Sequence, residues 1–286
     1  MLSTSYSISS SIKNQQSLEN QISDLNYDIS STVKIHVASD DPAAAAQIAN
    51  IGRQQSDEAV YASNVTNAQA TTSLVDTSLS DIQTSLQRAK ELMLSASNGT
   101  MSADDRTSAI TELQGIQQTL QTAAKATDAS GNPLYAPGAP TQIPIGAGVT
   151  IAAGESYDDV FGTVSLSSGG TSSLDTILGN AITALQGDSS GALDSKAVAS
   201  SMTALDDAST HISDAQSDLG VRETRLNNAS DTLATSKTNL TTARSALEDT
   251  DVTEAYSQMS QKMTILNAAQ SMLATISKTS LFDKIS

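Results

Sequence analysis

The chain has 286 residues with no cysteine, no tryptophan, two phenylalanines and two histidines, which leaves no disulfide framework or thiol chemistry and little from which to build a metal site. Its formal net charge of −16 repels nucleic acid and anionic membrane surfaces, so neither is an expected partner.

The first predicted element is an amphipathic helix. Leu18 and Leu25 alternate with Ile22 and Ile29 at three- and four-residue steps, and Ile8 falls in the same seven-residue register. Ser39-Asp40-Asp41-Pro42 then offers polar caps followed by a proline whose fixed φ suits a first helical turn. A new helix is predicted to start at Pro42, with a hinge before it.

That helix runs to about Ser97, ~80 Å at ~1.5 Å per residue. Val65, Thr72, Leu79, Leu86 and Met93 make one column of its seam, and Ala68, Val75, Ile82 and Ala89 the other. Asn98-Gly99-Thr100 reads as a turn. Ser102 and Asp105 form a capping-box pattern before a helix carrying Ile110, Leu113, Ile116 and Leu120, which is expected to fold back on its predecessor.

From Ser130 to about Gly170, Pro133, Pro137, Pro140 and Pro144 separate short β-prone runs at Thr141 to Ile145 and Val149 to Ala152. A helix bearing Leu174, Leu178, Ala181 and Leu185 follows.

The strongest periodicity comes next: Val198, Leu205, Ile212, Leu219, Leu226, Leu233, Leu240 and Leu247 recur every seventh residue. Such a column implies a left-handed supercoil against a partner helix, and an antiparallel match with the Pro42 helix supplies one. The second column, Ser201, Ala208, Ala215, Arg222, Ala229, Ser236 and Ala243, is mostly small. Position 254 is Glu, so the register slips between Glu248 and Asp251, and a last amphipathic helix carries Val252, Met259, Leu266 and Leu273 with Tyr256 and Met263 beside them.

The expected fold is therefore mainly α: a long antiparallel coiled-coil helical bundle with paired N- and C-terminal helices and a small β-rich distal domain, held by its seams without a globular core. The expected division is 1–41 plus 250–286 as a terminal assembly domain, 42–129 plus 188–249 as a helical rod, and 130–187 as the β-rich part with its short helix. No segment approaches the ~18 apolar residues of a membrane span. The start has no positive n-region, so export, if any, would proceed without a cleaved signal peptide.

Chemical motifs are sparse. His36 and His211 are far apart in sequence and no His-x-x-x-His spacing exists, so no metal and no cofactor is expected. Asp158-Asp159 and Asp206-Asp207 lack the alternating acidic loop of a calcium site. Without a Gly-x-Ser-x-Gly elbow the abundant hydroxyls do not suggest a nucleophile, and the chain does not read as an enzyme. Gly220, inside a helix at a cost of ~1 kcal/mol relative to Ala, is a candidate for close contact with another chain. A sugar-binding tip would have Tyr135, Tyr157 and Phe161 for stacking.

Several segments together are similar to the bacterial flagellin family, in the expected order. They are Ala38-Ser39-Asp40-Asp41-Pro42-Ala43-Ala44-Ala45, then Leu86-Gln87-Arg88-Ala89-Lys90-Glu91-Leu92 leading to Asn98-Gly99-Thr100, then Leu219-Gly220-Val221-Arg222 with Arg225-Leu226. Met1-Leu2-Ser3-Thr4, Ala268-Ala269-Gln270 and Thr279-Ser280-Leu281-Phe282-Asp283 resemble the members that join hook to filament, while Thr32 stands where the family usually has Gly.

The resemblance implies a non-enzymatic structural subunit of the extracellular flagellum, joining hook to filament, or alternatively flagellin, the filament subunit itself. The implied partners are other copies in a tubular assembly, hook-associated protein 1, flagellin and an export chaperone. The implied assembly interface is Ile8, Leu18, Ile22, Leu25, Ile29, Met259, Met263, Leu266, Leu273, Leu281 and Phe282. Asp40, Asp41 and Pro42 would be the hinge, and Arg88, Leu92, Gly220 and Arg222 contacts of the rod. In flagellins the stretch matching Gln87 to Leu92 is also a surface that innate receptors of animals recognise.

Overall fold

The computed structural model describes residues 2–97, 101–187 and 192–282, of which 2–5, 7 and 276–282 as backbone only; the Asn98-Gly99-Thr100 turn lies outside the described residues. Six helices dominate: α1 (Leu2–Ser31), α2 (Pro42–Ser97), α3 (Ala103–Ala123), α4 (Leu174–Gln186), α5 (Ser195–Glu248) and α6 (Val252–Phe282). Between α3 and α4 lie six short strands and a π-helical turn, Asp158–Gly162. The strands are β1 (Tyr135–Ala136), β2 (Gln142–Gly146), β3 (Val149–Ala152), β4 (Glu155–Ser156), β5 (Val164–Ser165) and β6 (Thr171–Ser172). They pair two by two: β1 with β4 parallel, β2 with β3 and β5 with β6 antiparallel.

Local chemistry sets the helix starts. Asp41 Oδ1 accepts the N–H groups of Ala43 and Ala44 at 3.0 Å each, capping α2 just ahead of Pro42. Asp251 Oδ1 does the same for α6, from Thr253 at 2.9 Å and Glu254 at 3.1 Å. The capping box of α3 is present in both halves, Ser102 Oγ accepting from Asp105 N and Asp105 Oδ2 from Ser102 N.

The chain divides into two compact units, residues 1–56 with 237–286 and residues 57–236.

In the larger unit, α2 and α5 run antiparallel: Glu58 meets Ser236, Gln69 meets Asn227, Gln83 meets Ser209 and Lys90 meets Asp206. Every residue of both predicted α2 columns, from Val65 to Met93, is buried. The unit does have a globular core, contrary to the expectation from seams alone. Leu79, Ile82, Leu86 and Met93 of α2, Leu113 of α3, Tyr135, Phe161 and Val164 of the β-rich stretch, Leu178 and Leu185 of α4, and Leu205, Ile212 and Leu219 of α5 form one continuous cluster. The fold-back of α3 on α2 was expected, but periodicity reports which face of a helix is apolar, not how many elements cover it, so the further cover from α4 and the β-rich stretch was invisible there.

A second small cluster joins Ile145 and Ile151 of the β2–β3 hairpin to Val65, Ala68 and Leu226. The α5 column responds to this cover. Val198, Leu205, Ile212, Leu219 and Leu226 are buried, whereas Leu233, Leu240 and Leu247 are only half-buried.

In the smaller unit α1 and α6 pack against each other, with Lys262 Nζ on α6 donating to Gln21 Oε1 on α1 at 2.6 Å. The segments that follow α1 and precede α6 form an antiparallel bridge at Val33 and Asp249. Lys34 N donates to Glu248 O at 2.8 Å and Thr250 N to Thr32 O at 3.0 Å.

Candidate assembly interface

Half-buried residues of α1 include Ile8, Ser11, Gln15, Leu18, Ile22, Leu25 and Ile29, a stripe at three- and four-residue steps, with Asp28 and Ser31 beside its end. On α6 the matching stripe is Ala255, Met259, Lys262, Leu266, Ala269 and Leu273, with Ala255 buried and the others half-buried. These stripes face each other, so Ile8, Leu18, Ile22, Leu25, Ile29, Met259, Leu266 and Leu273 lie on a seam inside the chain. The stripe is not uniformly apolar. Ser11, Asn14 and Gln15 border a gap of about 150 Å³ with Leu18, Ala269, Met272 and Leu273, and the Gln15 side-chain amide nitrogen is buried there without a hydrogen-bond acceptor.

What remains exposed is a different apolar set. Tyr6, Ile12 and Tyr27 on α1, and Tyr256, Met263, Ile265 and Met272 on α6, all stand in solvent, with Met272 68% exposed and Tyr256 62%. Tyr256 and Met263 are one heptad apart on one flank of the α6 stripe; Ile265 and Met272 are one heptad apart on the other. A helix that carries apolar pairs on both flanks of an already occupied seam has more apolar surface than one partner helix can cover. Of the residues expected at the interface, only Met263 belongs to this outward set; the side chains of Leu281 and Phe282 lie outside the described residues. Tyr6, Ile12, Tyr27, Ile265 and Met272 escape a search for seven-residue columns because they sit off the column, and their signal is large apolar side chains outside the seam.

The connection from α1 to α2 is tightly tied. Thr32 ends α1 at φ +59°, Asp40 Oδ2 accepts the N–H groups of His36 at 2.9 Å and Val37 at 3.0 Å, and His36 Nε2 lies 2.9 Å from Asp28 Oδ1. The two N–H bonds, from Val37 and then His36, hold the Asp40 carboxyl below its usual range. Asp40 and Asp41 thus organise the connection, and Pro42 opens α2.

In the larger unit the expected rod contacts separate into two kinds. Arg88 is exposed and spans Glu112 of α3, through Nε at 2.6 Å and Nη2 at 3.1 Å, and Glu91 at 3.0 Å. Its hydrogen bonds hold the Glu112 carboxyl below the usual range. Gly220 is exposed, with nothing within 4 Å of where a Cβ would stand. Leu92 is a core residue. Arg222 turns inward, Nη1 reaching Gly154 O at 2.9 Å and Glu155 Oε1 at 2.7 Å.

Among the described residues no group of three or more His, Cys, Asp or Glu side chains is placed to hold a metal ion, and no helix is long and apolar enough to cross a membrane.

Comparison with known proteins adds lineage to this geometry. The bacterial flagellin N-terminal helical region matches residues 2–137 and the bacterial flagellin C-terminal helical region matches residues 202–283. The chain belongs to the bacterial flagellin family.

Among curated relatives, flagellar hook-associated protein 3 of Salmonella typhimurium is 38% identical over 112 residues, 39% of this chain and 35% of the relative. The protein of the same name from Escherichia coli is 39% identical over 98 residues, 34% of this chain and 31% of the relative. The aligned part thus spans about a third of the length of these relatives. Among solved structures, a putative flagellar hook-associated protein from Vibrio parahaemolyticus superposes with a TM-score of 0.63 at 20% identity, over 73% of this chain and 100% of that one. A flagellar hook associated protein-3 from Legionella pneumophila gives 0.61 at 15% identity, over 70% and 98%. At such identities these structures establish a shared fold.

Proposed function

We infer that this chain is a structural, non-catalytic subunit of the bacterial flagellum that joins hook to filament. The observation that carries the reading is the pair of apolar flanks on α6, Tyr256 with Met263 and Ile265 with Met272, exposed on either side of a seam that α1 already fills. Lateral neighbours on both sides would bury them, and repetition of one such heterologous contact closes into a ring or tube. Residues 1–41 with 250–286 are the assembling part in this reading. Asp40, Asp41 and Pro42 belong to the connection that adjusts it, and Arg88 and Gly220 are the exposed positions for neighbouring copies.

The kinship with proteins named hook-associated protein 3 supports a junction rather than a filament role. The partners are then further copies, hook-associated protein 1 on one side and flagellin on the other, with a chaperone escorting the exported chain to the outside of the cell. Electron microscopy of cells carrying a tagged copy tests this: label confined to the base of the filament is expected. Label along the whole filament, or long filaments grown from the purified chain alone, would instead make it a flagellin.

A further inference from the structure

Between α2 and α5 the surface opens into a groove of about 240 Å³, larger than the ~150 Å³ that takes up a benzene ring in an apolar cavity. One stripe of each helix lines it: Thr72 and Asp76, four residues apart on α2, and Gln216, Gly220 and Glu223, at four- and three-residue steps on α5. Gln69 and Asn227 stand at one end, joined by a hydrogen bond of 2.9 Å. Apart from Leu219 and Gly220, every side chain along the groove is polar. Gly220 leaves the floor between Gln216 and Glu223 bare, with nothing within 4 Å of where a Cβ would stand.

Three of the polar groups are unengaged. Thr72 is only 6% exposed, yet its hydroxyl has no hydrogen-bond partner among the described residues, and the groove is the open space beside it. Asp76 and Glu223, exposed on opposite walls, have no ion-pair or hydrogen-bond partner among the described residues. An anion would be repelled by these carboxylates, and an apolar group would leave them and Thr72 without partners. A guanidinium suits the set, being planar and donor-only, with five N–H groups in a fork that can serve both walls at once.

We propose that this groove takes the guanidinium of Arg225 from the next copy in the side-by-side assembly inferred above, on which the choice of partner rests. Arg88, Arg222 and Arg244 are each held by a carboxylate of their own chain, whereas Arg225 is exposed and has no ion-pair partner among the described residues. Gly220 follows Leu219 and Arg225 precedes Leu226, and these two leucines are one heptad apart on the buried seam. The groove and Arg225 therefore look out from opposite flanks of α5, about 140° apart around the helix, so that Arg225 points away from the groove of its own chain. Two complementary elements on opposite flanks are what a heterologous contact between identical copies requires.

Sheared flagella from cells carrying tagged variants test the contact. Arg225→Glu is expected to lower the recovered chain by at least about tenfold, with an unchanged urea midpoint because the residue is exposed and unpaired, and adding Asp76→Asn and Glu223→Lys to the same chain should restore recovery. Parental recovery of Arg225→Glu, or no restoration by the charge swap, overturns the contact. Nuclear magnetic resonance on the free full chain decides the chemistry of the groove apart from assembly. N-acetyl-arginine amide is expected to give saturable shifts at Thr72, Gly220 and Glu223 that are lost in Asp76→Asn with Glu223→Gln and absent with the neutral N-acetyl-citrulline amide. Equal shifts from both probes, or none from either, overturn the guanidinium site. If the unmodified chain is absent from flagella while those shifts are present, the subunit reading falls and Arg225 of a copy with it, and the groove stands as a guanidinium site.

Discussion

Thr32 accepts the backbone N–H of Thr250 at 3.0 Å while holding φ at +59°, so a β-branched residue occupies the left-handed position at which α1 stops. Left-handed backbone costs an ordinary residue roughly 1–2 kcal/mol, and β-branching adds crowding. Glycine is the usual occupant of such a helix end because it has no Cβ to clash. Thr32→Gly is expected to stabilise the smaller unit by about 1 kcal/mol, with the Thr250 bond preserved. Urea denaturation of the two chains checks it, and a lower midpoint for the glycine variant would contradict the account.

Two glycines of the larger unit should respond to alanine in opposite directions. Gly154 has φ +96°, and a Cβ there would stand 2.6 Å from the Leu134 carbonyl oxygen, which is backbone and cannot move aside. Gly154→Ala is expected to cost about 2 kcal/mol or more. Gly220 lies in the middle of α5 with no atom within 4 Å of its missing Cβ, so Gly220→Ala should stabilise by about 1 kcal/mol through helix propensity. Urea midpoints of the two variants check both signs. If the Gly220→Ala variant is the more stable monomer and yet fails to co-assemble, the space at Gly220 is reserved for a neighbouring copy.

The seven-residue column of α5 is not energetically uniform. Leu219 is 2% exposed inside the main cluster, whereas Leu240 is half-buried. Leu219→Ala should cost about 2–5 kcal/mol, as for other well-enclosed leucines, and Leu240→Ala clearly less, near ~1 kcal/mol. Thermal unfolding of the two single variants distinguishes this from a seam in which each leucine contributes alike.

These residues also mark how far the sequence could be read. Helix starts were legible because their signals are local: Asp41-Pro42 and the Ser102–Asp105 box require only a few neighbouring residues. The seams of α2 and α5 were legible because an apolar stripe repeats at the helical period. Depth of cover was not, since Leu219 and Leu240 look identical in a heptad register and differ only in how many other elements reach them. The same limit applies at the termini. The pairing of α1 with α6 was legible from stripes that include Leu18 and Leu266, while which further apolar side chains that pairing leaves uncovered was not. The outward set of Tyr27, Tyr256 and Met272 becomes identifiable once that seam is occupied. Arg222, which the α5 pattern places among small residues, was legible as an anomaly, while its partner Glu155 is 67 positions away in sequence and could not be named.

That partner gives the last expectation. Burial pushes the Glu155 carboxyl above its usual range, against the opposing attraction of Arg222, and the nearby charges of Asp159 and Asp218 push the same way as burial. A carboxyl raised in the folded state binds its proton more tightly folded than unfolded. Its contribution to stability is therefore full below the ordinary glutamate value of about 4.3 and is lost as pH rises through the raised value. Asp40, Glu112 and Asp128 are lowered and work in the opposite sense, their contributions present above the ordinary carboxylate range and lost on acidification.

Glu155→Gln removes only the first effect, so this variant should match the parent near pH 4 and exceed it at pH 7. Arg222→Met leaves an uncompensated buried carboxylate and is expected to cost about 3–5 kcal/mol at pH 7, part of it recovered near pH 4, where Glu155 takes up its proton. Urea midpoints of the three chains at pH 4, 5.5 and 7 supply the test. An Arg222→Met deficit that stays constant across that range would mean that the cost comes from lost packing and the Gly154 hydrogen bond, with the charge of Glu155 playing no part.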